Sequence, residues 1–176
     1  MCISYAQAFA HIDTLFFLLK RHTPRSPRGR SAAASKVYKR QHFSLRELTK
    51  SQTAERLGID NTPDAFAEAY LERLCEEILE PARAHYGIPF SPSSGYRSVE
   101  LCEAIGSSAK SQHAKGQAAD FEVTGIDNYE LAAWIKDNLD FDQLILEFYT
   151  PGKPSSGWVH CSIATSMAAQ RKEVLT

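Results

Sequence analysis

The sequence predicts an α+β domain in which an antiparallel sheet of about four strands packs against helices. Three observations carry this. Helix start signals crowd the chain from residue 42 onward, short β-rich segments come late, and no internal repeat is visible. Helices first and strands later argue against the strict alternation of a parallel sheet. The chain has 176 residues, 43% apolar and 23% charged, which fits one globular domain with a real core. That composition excludes collagenous, low-complexity and fully disordered classes.

Ser44-Leu45-Arg46-Glu47 is a capping-box pattern and predicts a short helix that ends by Gly58. Asn61 then reads as a second cap, with Pro63 in the first turn. Phe66, Tyr70, Leu74 and Ile78 recur at helical spacing, so a long amphipathic helix follows. Pro81 should kink or break it and Gly87 should close it. Ser98 opens a third helix that stops at Gly106. Ala118–Val123 is the first strand-like run, with a further strand possible near Phe90–Tyr96. Asp127-Asn128-Tyr129-Glu130 opens a helix through Leu131, Trp134 and Ile135. Asp142–Phe148 and Trp158–Ile163 complete the strands. The expected division is a basic, flexible leader (residues 1–41), a folded domain (42–165) and a C-terminal tail (166–176).

The formal net charge of −1 conceals a split. Residues 1–40 hold eight Lys/Arg and one acid, and the remainder holds 12 basic and 20 acidic residues. The first part is therefore +7 and the second −8. The apolar start is far short of the roughly 20 residues a membrane span needs. Its charge follows the apolar run, so it makes a poor signal peptide. The basic segment reads either as a solvated tail or upstream translated sequence, or as a patch for nucleic acid or anionic envelope polymer. Nucleic-acid binding is not expected of the acidic domain itself.

Two of the six histidines stand in chemically suggestive company. His113 lies in Ser111–Asp120 and His160 in Trp158-Val159-His160-Cys161-Ser162. His85, near the end of the long helix, reads as a surface or capping residue. Strand side chains alternate between faces. Ala119, Phe121 and Val123 form one core parity, Val159, Cys161 and Ile163 a second, and Leu144, Leu146 and Phe148 a third. Asp120, His160 and Glu147 then point to the opposite face, where they converge if their strands are neighbours. A His/Asp/His set suits Zn²⁺, and three protein ligands leave a position open for water, the catalytic pattern. Such a site needs a carboxylate as general base, and Glu147 is the candidate. Spacing alone also allows a loop histidine, a strand-edge acid and a histidine on an exposed sheet face.

At these residues the sequence resembles the M15 family of zinc D-Ala-D-Ala carboxypeptidases and peptidoglycan endopeptidases, including its phage-like members. Ser111–Asp120 matches S-x-H-x-x-G-x-A-x-D, Trp158-Val159-His160 matches W-x-H, and Ser94–Ser98 matches S-G-Y-R-S. The resemblance runs from about Phe43 to Ile163 and implies a hedgehog/DD-peptidase-like fold. It implies one zinc ion held by His113, Asp120 and His160. It implies Arg97 beside the scissile bond, where a planar fork suits an oxyanion or a carboxylate. Ser111 would contact substrate or orient His113, and Tyr96, Gln143 and Trp158 would be pocket walls. Arg97 also reads as a helix-capping arginine, Ser111 as a turn residue, and the other three as packing residues. Many family members carry Glu or Asp three residues before the last zinc histidine, and here that position is Gly157, leaving Glu147 as the substitute.

The four cysteines suggest no disulfide framework. Cys75, Cys102 and Cys161 read as buried thiols, and Cys2 lies in the leader. Two functions follow from the resemblance. One is zinc-dependent hydrolysis of peptidoglycan stem peptides by a monomer without a transmembrane segment. Its synthesis would be cytoplasmic, with phage-type release to the cell wall. The other is a catalytically inactive, zinc-bearing binding module. Nucleic-acid binding through the leader is a third.

Overall fold

The computed structural model describes residues 41–176, so the readings made of residues 1–40, Cys2 included, lie outside the described residues. The Ser44 hydroxyl accepts from Glu47 N and the Glu47 carboxylate accepts from Ser44 N, closing the expected capping box of α1 (Leu45–Thr49). The chain then breaks at Lys50, and Ser51 caps a separate α2 (Gln52–Leu57), so one expected helix is two. The cap of α3 (Ala65–Leu74) is Asp64, whose Oδ1 accepts from Ala67 N at 2.7 Å, and not Asn61. Asn61 serves tertiary structure instead. Its amide donates to Thr49 O and Tyr96 O and accepts from Ser98 N, tying three segments together.

Pro81 does not end the long helix. A π-helical turn (Cys75–Leu79) leads from α3 straight into α4 (Glu80–Tyr86). Proline has no N–H to donate backwards. The wider turn, in which Glu80 N donates to Cys75 O, absorbs that mismatch and leaves Pro81 in the first turn of α4. Ser98 caps α5 (Val99–Ala104), and Asp127 caps α6 (Asn128–Asn138) as expected.

The sheet has four strands in the order β1-β3-β2-β4: β1 (Ala118–Phe121), β2 (Gln143–Glu147), β3 (Trp158–Ser162) and β4 (Glu173–Leu175). The first three are antiparallel neighbours, but β4 runs parallel to β2. The strand expected near Phe90–Tyr96 is only a single bridge from Ser94 to Asp120. The fourth strand comes from the segment read as a tail. Lys172 N donates to Phe141 O and Glu173 N to Asp142 O, and the Arg171 guanidinium holds the Asp142 carboxylate. That C-terminal segment is therefore part of the fold.

One core forms against the sheet. Ala119, Phe121, Leu144, Leu146, Val159, Cys161 and Ile163 are buried together with Leu71, Leu74 and Ile78 of the long helix and Leu131 and Ile135 of α6. Cys75, Cys102 and Cys161 are buried and form no disulfide, and burial pushes the Cys161 thiol well above its ordinary value. The expected core parity fails at one residue. Phe148 is 77% exposed, because its φ of +52° turns the chain out of the strand alternation.

Candidate metal centre

The antiparallel register puts Asp120 of β1, His160 of β3 and Ile145 of β2 in one row across the sheet. Asp120 and His160 are thus cross-strand partners on the face opposite the core. His113 arrives from outside the sheet, on a 3₁₀ turn (Gln112–Lys115) whose N-cap is Ser111. Gly116 ends that turn at φ +71°, and a Cβ there would overlap the Ala67 carbonyl of α3. Only glycine gives both the left-handed turn and this close approach. This is the physical content of the glycine between His113 and Asp120.

Three donor atoms meet at one point. His113 Nε2 lies 3.2 Å from His160 Nδ1 and 3.3 Å from Asp120 Oδ1, and His160 Nδ1 lies 2.8 Å from that same oxygen. All three residues are at least 92% buried, with His113 at 3%, Asp120 at 6% and His160 at 8% exposure. The His113 Nδ1–H donates to Gly95 O at 2.6 Å, which leaves the Nε2 lone pair facing the cluster. A zinc tetrahedron with ligand bonds of about 2.0–2.1 Å has face edges of about 3.3 Å. The observed triangle is close to such a face. Two imidazole nitrogens and a carboxylate oxygen packed this closely repel one another through their lone pairs, and a cation relieves that repulsion. The donor set therefore fits zinc. Burial alone would raise the Asp120 pKa. When the two imidazoles of His113 and His160 carry protons instead of a metal, their hydrogen bonds and charges outweigh burial and hold the carboxyl well below the usual carboxylate range.

The second Asp120 oxygen is also held. Arg97 Nη2 donates to Oδ2 at 2.5 Å, while Arg97 Nε donates to Ser94 Oγ at 2.8 Å. Arg97 thus fixes the carboxylate so that Oδ1 faces the histidines. Ser94 holds the Arg97 guanidinium and Gly95 O holds His113, contacts that the Ser94–Ser98 motif does not reveal by itself.

The cluster forms part of a cleft of about 420 Å³. Arg97, Ser111, Gln143, Glu147 and Trp158 line it with the three donors. So do Ser107, Ser108, Lys110 and Gln112, which no sequence pattern singled out. Tyr96 is not among the lining residues. Its backbone is pinned to Leu48 O, and it lines a separate hollow with residues 50–53. Glu147 pairs with Trp158, two rows beyond Ile145 and His160 and so on the same face, which makes it a diagonal neighbour of His160 on the cleft side. Asp120 and Glu147 are the carboxylates among the lining residues. Gly157 has φ +66°, and a Cβ there would overlap Glu147 O. A side chain at position 157 therefore needs a different loop. His85 is exposed and stacks on Trp134 at 4.3 Å, and it is not among the residues that line the cleft.

The family model described as Peptidase M15 matches residues 41–162. No curated protein matches the chain. Among solved structures, a variant of the vancomycin-resistance D,D-pentapeptidase VanY, from a VanB-type resistance cassette and in complex with Zn(II), is 21% identical. The match covers 57% of this chain and 72% of that one, with a TM-score of 0.31.

Proposed function

The chain belongs to the peptidase M15 family, and from that premise we propose that it hydrolyses peptide bonds in peptidoglycan stem peptides with one zinc ion. His113, Asp120 and His160 would hold the ion, and bound zinc supplies a Lewis acid that polarises a carbonyl and lowers the pKa of water. The observation that carries this reading is the buried three-donor cluster in a cleft whose further carboxylate is Glu147. Glu147 takes a proton from the attacking water and returns it to the leaving amine. Arg97 keeps Asp120 in place and brings positive charge to the cleft wall, beside the developing oxyanion or a substrate carboxylate. Ser111 orients the His113 turn through its N-cap bond, and Gln143 and Trp158 bound the substrate.

Gly157, at the position where many family members carry an acid, is the observation that favours a zinc-bearing module without catalysis. The cleft position of Glu147 favours the enzyme. Among the described residues no helix is long and apolar enough to cross a membrane, and the substrate would be met at the cell wall. The test is digestion of purified peptidoglycan with and without chelator, with products identified by mass. New termini that vanish with chelator support the reading, and their masses separate a carboxypeptidase from an endopeptidase. Glu147→Ala should keep stoichiometric zinc and lose hydrolysis by about 10²–10⁴-fold. A variant that cleaves as well as the parent removes Glu147 as the base.

A further inference from the structure

Phe148 breaks the strand pattern at the residue next to Glu147. It and Lys172 are the non-glycine residues with positive φ among the described residues. A bulky aromatic in the left-handed region is strained, and an exposed one gains little burial in return. Phe148 is 77% exposed, yet its ring lies 5.2 Å from that of Trp158, which lines the cleft beside Glu147. Gly157 explains how the strain is held. Its Cα approaches the backbone of Glu147 and Phe148 so closely that a Cβ would overlap both. The backbone at 147–148 is thus wedged in place from across the loop, and the Phe148 ring stands on Trp158 at the cleft edge. Strain of this kind persists where the surrounding structure over-determines it, and it concentrates at binding sites.

We infer that Phe148 and Trp158 form an aromatic subsite for the aliphatic side chain of a substrate residue flanking the scissile bond. The inference rests on the peptidase reading. The neighbouring cleft wall is mostly polar in its residues (Gln143, Ser111, Lys110), with Ile145 and Trp158 its apolar ones, so most of its side chains serve a peptide backbone and its charges rather than an alkyl group. Paired rings supply that contact at little entropic cost, since an aromatic side chain has few rotatable bonds.

The test uses the full zinc-loaded chain with a synthetic stem pentapeptide, L-Ala-γ-D-Glu-L-Lys-D-Ala-D-Ala, and purified muropeptides. Steady-state kinetics and quenching of tryptophan fluorescence are read together. Phe148→Ala and Phe148→Gly should each raise KM and Kd about tenfold with a smaller change in kcat, and Phe148→Tyr should restore both. Phe148→Gly should at the same time raise the melting temperature, because glycine relieves the left-handed strain. A merely structural residue would not give weaker binding with higher stability. Unchanged KM and Kd in Phe148→Ala, with an active parent, overturn the subsite and leave the peptidase reading intact. Weakening confined to glycan-bearing muropeptides overturns it in favour of sugar stacking. A parent that binds the pentapeptide but cleaves nothing overturns the peptidase reading, and the Kd ratio then decides the subsite alone. A parent that binds neither probe overturns both.

Discussion

Gly157 and Asp142 show how much one position can constrain. The overlap at Gly157 and its φ of +66° predict that Gly157→Ala destabilises the fold by about 1–3 kcal/mol, measured by urea unfolding. Gly157→Glu should likewise fail to rescue Glu147→Ala in a peptidoglycan digest, because the added side chain displaces the loop before it reaches the cleft. Asp142 is buried, at 4% exposure. Its hydrogen bonds from Arg171 come first and burial opposes them, yet with Gln112 also donating its carboxyl is held below the usual range. A depressed folded pKa contributes stability above the unfolded value of about 3.9, and that stability is lost as pH falls through the folded value. Asp142→Asn should therefore flatten the acid limb of the stability–pH curve below about pH 4. In the sequence Gly157 stands out only as a departure from the family pattern, and its close approach to Glu147 is not visible there. Asp142 is there only the first residue of a strand-like segment, and Arg171 and Gln112 meet it only in the folded chain.

The caps were the most legible local features. Ser44, Ser98 and Asp127 all cap helices where their patterns indicate, because each cap is a bond within three residues. Asn61 misled because its amide has better partners 12 and more residues away. Pro81 misled because a π-helical turn can accommodate it, and nothing local signals that turn. The C-terminal segment was the largest omission. Glu173–Leu175 is too short to read as a strand, and it exists through pairing with β2 and through Arg171 on Asp142. Arg171→Ala should cost about 1–2 kcal/mol, less than for a fully buried pair since the arginine is 55% exposed. It should also loosen the Gln112 contact beside His113, which chelator competition would read as weaker zinc binding.

Zinc and fold should be coupled across the domain, because the donors come from two strands and a separate turn. Ligand that binds only the folded state stabilises it by mass action, about 2.7 kcal/mol at a hundredfold excess over Kd. Added zinc should raise the melting temperature of the parent and leave that of His160→Ala nearly unmoved. An equal shift in both would place the ion elsewhere. The charge split falls close to the boundary of the family match, which begins at residue 41. Part of the acidity that follows belongs to Asp120 and Glu147, which a bound cation offsets, so the net charge of −8 is no sign of a cationic partner.

By itself the sequence determined the α+β class, most helix starts and three strands, and it named His113, Asp120 and His160, which the fold brings together, because caps, alternation and short motifs are local properties. Strand parity even placed Asp120, His160 and Glu147 on one face. Only the tertiary structure decided that β3 lies between β1 and β2, which makes Asp120 and His160 partners at one row. It also set Arg97 on the second Asp120 oxygen, kept Tyr96 from the cleft, recruited the last strand from the C-terminal segment and turned Phe148 outward. Each of these depends on contacts between distant segments, and on space such as that beside Gly157, which no window of neighbouring residues contains.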